Sequence, residues 1–253
     1  RRLFTPAFIT SGQFFPEQVT RWTVVLQYVT IKMKIIRLKG ITMKKWDAPL
    51  PKHTKLDYYE CYAKIILSHL LSINCESILI RDRPDLQFID DSRGIEVTQA
   101  IDQDQQIAEN LYTNIHSVRS KEGAIQEIHH CGCKYEDGIL IGKLGTDSFK
   151  FIMKAIETKL EKLNNGGYAR FCHYELFVFS DIYANDMMLN DALLSMRTLS
   201  NKYKLSFEKI FVSVPGSLYI FELPSKQFHV IDYSNKLQYE MACQARELVE
   251  ADM

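Results

Sequence analysis

The chain has 253 residues, of which 46% are hydrophobic and 25% charged, and its formal net charge is zero. This length accommodates one sizeable α/β domain, or one domain with an appendage. The hydrophobic content is that of a folded protein and excludes a largely disordered chain. The most apolar N-terminal run, 22–36, contains Lys32 and Lys34 and is too short to predict a membrane-spanning helix. It also lacks the cleavage pattern of a signal peptide.

Charge is divided unevenly along the chain. Residues 1–55 contain eleven of the 31 basic residues and only two of the 31 acidic ones. The remainder is therefore acidic overall, although a local basic surface is compatible with that balance. The sequence from Met43 to Trp46 resembles a natural start. We therefore expect residues 1–42 to be an extension, non-native or loosely attached, and residues 43–253 to form a single α/β domain.

The cysteines are scattered through a chain of ordinary domain size, which is typical of free thiols in a reducing compartment. We therefore expect a cytoplasmic protein without membrane association. The cysteines are Cys61, Cys75, Cys131, Cys133, Cys172 and Cys243. One cluster, His129-His130-Cys131-Gly132-Cys133, has soft ligands for Zn²⁺, but no second Cys/His pair follows at finger-like spacing. The alternative is an irregular loop with incidental thiols.

The first half of the domain begins with an amphipathic helix and continues with short strands. An apolar stripe predicts a helix over 55–72, and a short apolar run predicts a strand over 77–80. Two further strands contain Asp85 and Glu96, and the polar, glycine-terminated segment 89–94 between them predicts a hairpin turn. A helix is predicted over 103–118, and an irregular insertion over about 119–146.

The second half alternates helices with strands and ends in a meander. Helices are predicted over 147–163 and 187–203, and an apolar run over 174–180 predicts a strand buried on both faces. Strands over 210–214, 217–223 and 228–232 are separated by Pro-Gly and Pro-Ser turns. A helix over 235–250 follows. This order predicts a mixed central β-sheet flanked by helices, with a C-terminal β-meander and a terminal helix.

The most informative residues are the two acids of the hairpin. Alternate side chains of a strand share one face, so Asp85 lies with Gln87 and Glu96 with Thr98. A hairpin brings Asp85 and Glu96 together, and two close carboxylates repel unless a cation or proton lies between them. Oxygen ligands of this kind suit Mg²⁺ or Mn²⁺. The alternative without a metal is that Asp85 is a turn residue after Pro84 and Glu96 a solvent-facing strand position.

The Pro84-Asp85 pair and the Glu96-Val97-Thr98 triplet resemble the active site of the PD-(D/E)XK nuclease superfamily, here with ExT in place of ExK. The resemblance implies a restriction-endonuclease-like core, in which the 174–180 strand joins the hairpin strands. It also implies a divalent metal that activates water for phosphodiester hydrolysis, most simply of DNA.

The resemblance implies roles for particular residues. Asp85, Glu96 and the Val97 backbone carbonyl are the implied metal ligands. Glu60, on the helix before the hairpin, is an implied second-metal or water-positioning residue.

Thr98 departs from the family pattern because it brings no positive charge. Lys64, one turn after Glu60, is a candidate to restore that charge, and a surface ion pair with Glu60 is the alternative. Gln87, Gln99 and Gln103 are candidates for positioning water or phosphate, and Gln87 could equally be a cross-strand partner.

These residues leave three functions open. The first is a Mg²⁺- or Mn²⁺-dependent nuclease, for which a homodimer would be a natural way to cut both strands of a duplex. The second is a catalytically degenerate relative that binds nucleic acid or a protein without cleavage. The third is an unrelated α/β interaction protein in which the motif is accidental.

Overall fold

The computed structural model describes residues 54–115, 118–136, 139–142 and 148–251. The predicted extension at 1–42 lies outside the described residues. The elements of the first part are α1 (Tyr58–Leu71), β1 (Ile78–Ile80), β2 (Leu86–Phe88), β3 (Arg93–Gln99), α2 (Gln103–Thr113), α3 (Lys121–His130), β4 (Lys134–Glu136) and β5 (Ile139–Ile141). Those of the second part are α4 (Lys150–Asn164), β6 (His173–Phe179), α5 (Asp186–Ser200), β7 (Lys209–Val214), β8 (Ser217–Glu222), β9 (Gln227–Asp232) and α6 (Asn235–Ala251).

Seven strands form one mixed sheet in the order β1-β2-β3-β6-β7-β8-β9. The pairs β1–β2 and β2–β3 are antiparallel, β3–β6 and β6–β7 are parallel, and β7–β8 and β8–β9 are antiparallel. The predicted fold class is confirmed: a mixed sheet flanked by helices, with a C-terminal meander and a terminal helix.

Helix α1 begins at a side-chain cap. The Asp57 carboxylate accepts hydrogen bonds from the backbone N–H groups of Tyr59, at 2.8 Å, and Glu60, at 3.3 Å. Such a cap satisfies N–H groups that have no partner within the helix. The helix ends at Ser72, which has a left-handed φ of 54°. The cap therefore determines where the first turn begins, and Glu60 lies in that turn.

Each face of the large sheet is covered by a pair of helices. Helices α1 and α6 pack on one face with Phe177, Phe179 and Phe211. Helices α4 and α5 pack on the other face with Leu176 and Val178. Strand β6 is buried on both faces because its successive side chains alternate between these two cores.

The predicted irregular insertion at 119–146 is wrong for most of the residues described there. The segment contains helix α3, which is capped by the Ser120 hydroxyl, and the β4–β5 hairpin. Ala124 and Ile128, four residues apart, are buried in a small separate core together with Cys131 and Cys133. The helix is short and mostly polar, so only this one pair signals its buried face. Residues 137–138 and 143–147 lie outside the described residues.

No helix in the described part of the chain combines the length and apolar character needed to cross a membrane.

Candidate functional site

Asp85 and Glu96 occupy facing positions on neighbouring strands. In the β2–β3 register Leu86 pairs with Ile95, and the next position outward places Asp85 opposite Glu96. Asp85 Oδ2 accepts a hydrogen bond of 2.7 Å from the backbone N–H of Val97. The hairpin thus brings together the two acids that the sequence singled out, on the sheet face that packs against α4.

The Val97 backbone carbonyl also faces the region beside Asp85 and Glu96. The N–H and C=O groups of one strand residue point to the same side of the strand. Because the Val97 N–H points to Asp85, the carbonyl also lies on the edge of β3 beyond the start of β2. Two carboxylates and one carbonyl therefore border a single region.

A lysine that the sequence reasoning missed enters this region. Lys159 Nζ lies 2.5 Å from Glu96 Oε1, and the two side chains are 15% and 6% exposed. Lys159 comes from α4, where Ile156 and Leu163 are buried on the side of the helix facing the sheet. A lysine three residues after one buried position and four before the next lies on the apolar face. Its position on the apolar face of the predicted helix was the feature of the sequence that could have identified Lys159.

One oxygen of Glu96 has no hydrogen-bond partner in the described part of the chain. Oε2 is buried, and no described residue donates to it. A buried carboxylate oxygen without a partner is costly. Oxygen donors of this kind suit a hard divalent cation, so the residues present fit Mg²⁺ or Mn²⁺. Within the described residues, no group of three or more His, Cys, Asp or Glu side chains converges as a ready-made metal cluster. The fit therefore involves two carboxylates and a backbone carbonyl.

The site raises the pKa of two carboxyl groups. Burial, followed by the nearby Glu96 charge, raises the pKa of Asp85 to about 6, although the Val97 N–H and Lys159 oppose the shift. Burial, followed by the charge of Asp85, raises the pKa of Glu60 to about 7. Lys159 is the cation that opposes this second shift. The site thus concentrates more negative charge than its one lysine neutralises.

A second missed residue, Tyr168, lies on the loop between α4 and β6. Burial and the Glu96 carboxylate raise the pKa of Tyr168 above its usual range, so the phenol stays protonated. The loop is held by the Ala169 N–H, which donates to the Arg83 carbonyl at 3.0 Å. Tyrosine signals no particular site in a sequence, and only the return of this loop to β3 brings the hydroxyl beside Glu96.

Gly94 allows the surrounding loops to close on β3. A Cβ at this position would lie 2.6 Å from Pro84 Cγ and 2.7 Å from Phe171 Cδ2. Both distances are too short for a side chain without movement of its neighbours. Glycine is therefore required for the loops before β2 and before β6 to pack beside the site.

The other predicted residues have varied positions. Thr98 shares the face of Glu96 by strand alternation and is half-buried, whereas Gln99 lies on the opposite face. The Gln87 side-chain N–H₂ group donates to the carbonyls of Pro84, at 3.1 Å, and Asp82, at 3.3 Å. Gln87 therefore braces the turn that precedes Asp85. Lys64 is half-buried on α1, and its predicted role stays a prediction.

A further pair of acids, both half-buried, lies near the carboxyl ends of β3 and β6. The Tyr59 hydroxyl is 3.5 Å from Glu109 Oε2. Burial raises the pKa of Glu109 and also that of Asp181. Because Tyr59 precedes Glu60 on α1, this second acidic region borders the first.

The predicted alternative of incidental thiols describes the His129–Cys133 region better than a zinc site. Cys131 and Cys133 are buried and pack with Ile128 in the small core. His129 Nε2 accepts a hydrogen bond from the Tyr135 N–H at 3.4 Å. The thiols thus serve as small apolar side chains.

No family model, no curated protein and no solved structure matches this chain.

Proposed function

We propose that the protein is a divalent-metal-dependent nuclease that hydrolyses phosphodiester bonds, most simply of DNA, at a PD-(D/E)XK-like site. The observation that carries the proposal is the pairing of Asp85 with Glu96 on adjoining strands, with Lys159 on one oxygen of Glu96 and no described residue bonded to the other. The position of β6 beside the hairpin strand β3 supports it, because the resemblance implies that this strand joins the hairpin strands.

Asp85, Glu96 and the Val97 carbonyl would hold Mg²⁺ or Mn²⁺. The ion when bound supplies Lewis acidity toward a phosphoryl oxygen and lowers the pKa of a bound water. Lys159 Nζ provides the positive charge that Thr98 does not, and its ammonium would orient water or the phosphate beside Glu96. Lys159 thus takes the role for which Lys64 was the sequence candidate.

Glu60 is suited to proton transfer. A carboxylate with a pKa of about 7 is partly protonated at neutral pH and can accept a proton from an attacking water. The protonated Tyr168 hydroxyl can donate a hydrogen bond to Glu96 or to a phosphate oxygen. Both groups border the charge that develops during hydrolysis.

A second candidate is the degenerate relative that binds nucleic acid without cutting it. The Lys159–Glu96 ion pair favours this candidate because a lysine can neutralise Glu96 in the absence of a metal. The two candidates differ in whether Mg²⁺ binds between Asp85 and Glu96.

The test is cleavage of plasmid, linear duplex and single-stranded DNA in the presence of Mg²⁺ or Mn²⁺. We expect the wild-type protein to cut and the isosteric double variant Asp85→Asn/Glu96→Gln to lose at least about 1,000-fold in rate, as removal of metal-held catalysis does. A matched control, Glu161→Gln/Asp191→Asn, changes charge equally at exposed positions and should cut like wild type.

Metal binding separates the two candidates. Isothermal titration with Mn²⁺ should give binding in the wild-type protein and none in Asp85→Asn/Glu96→Gln. Equal cleavage by both proteins would indicate a contaminating nuclease and refute the assignment. DNA binding without cleavage or Mn²⁺ uptake would support the degenerate relative.

A further inference from the structure

A groove with a basic rim lies between α4 and α5, on the outer side of the helix that carries Lys159. Its volume is about 550 Å³. Lys150 and Lys154 line it from α4, and Lys202 lines it just after α5. Glu157 is the one acid among the lining residues, all of which belong to the described part of the chain. We name this feature the α4–α5 groove.

The three lysines are exposed, and no described residue forms an ion pair with any of them. Some other lysines of the described residues are paired, as Lys209 is with Glu222 at 2.9 Å. The chain after residue 55 has more acids than bases. Three lysines without a described ion-pair partner at one groove therefore differ from the net charge of their surroundings, and they produce a local positive potential.

The remaining lining residues suit a sugar–phosphate chain. The Ser195 hydroxyl comes from α5 and adds a polar group of a kind that contacts phosphate, whereas the Thr198 hydroxyl donates to the Leu194 carbonyl at 2.8 Å. Leu194 is 59% exposed, and with Met153 it adds apolar surface to the lining. The groove thus combines cations with a hydroxyl and apolar atoms, which can contact the phosphates and the sugars of a nucleic-acid chain.

The position of the groove relates it to the candidate site. Lys150 and Lys154 precede Lys159 on the same helix by nine and five residues, which is about 14 and 7 Å along the axis. Phosphates of one strand of a duplex follow one another every 3.4 Å or so along its axis. These separations also correspond to about 180° and 140° around the helix, so Lys150 and Lys154 lie on the side of α4 away from Lys159. DNA that occupies both the site and the groove therefore extends across the surface of α4.

We propose that the α4–α5 groove binds the sugar–phosphate backbone of the DNA substrate at a distance from the cleaved bond. This inference rests on the proposed nuclease function. The occupant of the groove is inferred from charge, because the lysines are positive and the DNA backbone is negative. The chain's own N-terminal residues 1–55 carry an excess of basic groups, so the lysines would repel them.

The test is the binding of a fluorescently labelled DNA duplex, followed by anisotropy in EDTA so that nothing is cut. The variant Lys150→Glu/Lys154→Glu/Lys202→Glu should bind at least about tenfold more weakly at low salt, and its dependence of log K on log salt should be shallower by about 2 to 3. The milder triple change to Gln should lie between wild type and this variant.

The control, Arg119→Glu/Lys134→Glu/Lys236→Glu, makes the same change in net charge at exposed residues outside the groove. It should retain most of the affinity and the full salt dependence. Circular dichroism should show the same fold for all variants, because every changed side chain is exposed.

An equal loss of DNA affinity in the groove variant and the control variant would show that only net charge matters. That result would overturn the groove assignment. Unchanged DNA binding with lost binding of poly-glutamate would assign the groove to an acidic protein and also overturn it. If wild type cuts DNA but the groove variant binds normally, only the groove inference fails. If wild type neither binds nor cuts, both proposals fail.

Discussion

Strand β3 takes part in two buried carboxylate–cation pairs, one on each face, and they are built differently. At its start Arg93 donates from Nε to Glu175 Oε1 at 3.1 Å and from Nη2 to Oε2 at 2.5 Å. The guanidinium carbon also lies 4.5 Å from the centre of the Phe88 ring. Both carboxylate oxygens of Glu175 therefore have a partner, and the pair is complete in itself.

Three residues further along, on the opposite face, the Glu96 pair is incomplete. Lys159 contacts one oxygen, and the other is buried without a described partner. Burial, followed by the Glu96 charge, raises the pKa of the neighbouring Asp85. The comparison shows that both carboxylate oxygens of Glu175 are satisfied by Arg93, whereas the Glu96–Lys159 pair leaves one carboxylate oxygen without a partner among the described residues.

The largest expected effect is the loss of stability when the complete Arg93–Glu175 pair is broken. Arg93→Met leaves Glu175 buried without its cation, and we expect a loss of about 3–5 kcal/mol in the free energy of unfolding. Urea unfolding in EDTA measures it. The double variant Arg93→Met/Glu175→Leu should regain most of the loss, because no buried charge is then left unpaired. A loss below about 1 kcal/mol in the single variant would contradict a closed structural pair.

The next effect concerns the incomplete pair. Lys159→Met should lower kcat/KM for DNA cleavage by about 100-fold at saturating Mg²⁺, because it removes the one cation beside the candidate metal ligands. Lys159→Arg should recover part of the rate. Arg93→Met, assayed where it remains folded, should cut at close to the wild-type rate. Equal losses in Arg93→Met and Lys159→Met would mean that both pairs act only through stability.

The smallest expected effect is the pH dependence of stability that Asp85, beside the incomplete pair, contributes. The pKa of Asp85 rises from 3.8 to about 6 on folding, so between these values the folded state keeps a proton that the unfolded state has lost. Stability therefore falls as pH rises from about 4 through about 6. Asp85→Asn removes this loss and keeps an oxygen to accept the Val97 N–H.

In EDTA, the melting temperature of Asp85→Asn should match wild type at pH 4 and exceed it by about 2 °C above pH 7. Thermal unfolding followed by circular dichroism at several pH values gives this difference. A variant that is less stable than wild type at pH 8 would show that Asp85 is stabilised in its charged form, and the open-site interpretation would fail.

Much of the fold was predictable because its signals are local. The hairpin around residues 89–94, the helix α4 and the meander from β7 to β9 follow from hydrophobic periodicity and turn residues. The insertion was predicted poorly because α3 has few apolar positions and packs in a separate small core. Its helix depends on burial that is weakly encoded in a short polar segment.

Part of the candidate site was also predictable. Asp85 and Glu96 are close because antiparallel pairing of two adjacent strands follows from a short turn. Lys64 was the expected cation because it lies four residues from Glu60 on one helix. The lysine beside Glu96 is instead Lys159, at a separation of 63 residues. Local spacing carries no information about which distant helix crosses a strand.

The amino-acid sequence by itself determined the order of helices and strands and the meeting of two acids on one hairpin. These features depend on contacts between neighbours in the chain. Only the tertiary structure decided that α4 covers β3, that Lys159 reaches one oxygen of Glu96, and that the other oxygen is left without a described partner. The physical reason is that burial raises the free-energy cost of every unpaired charge, and which groups are buried together depends on how distant segments pack.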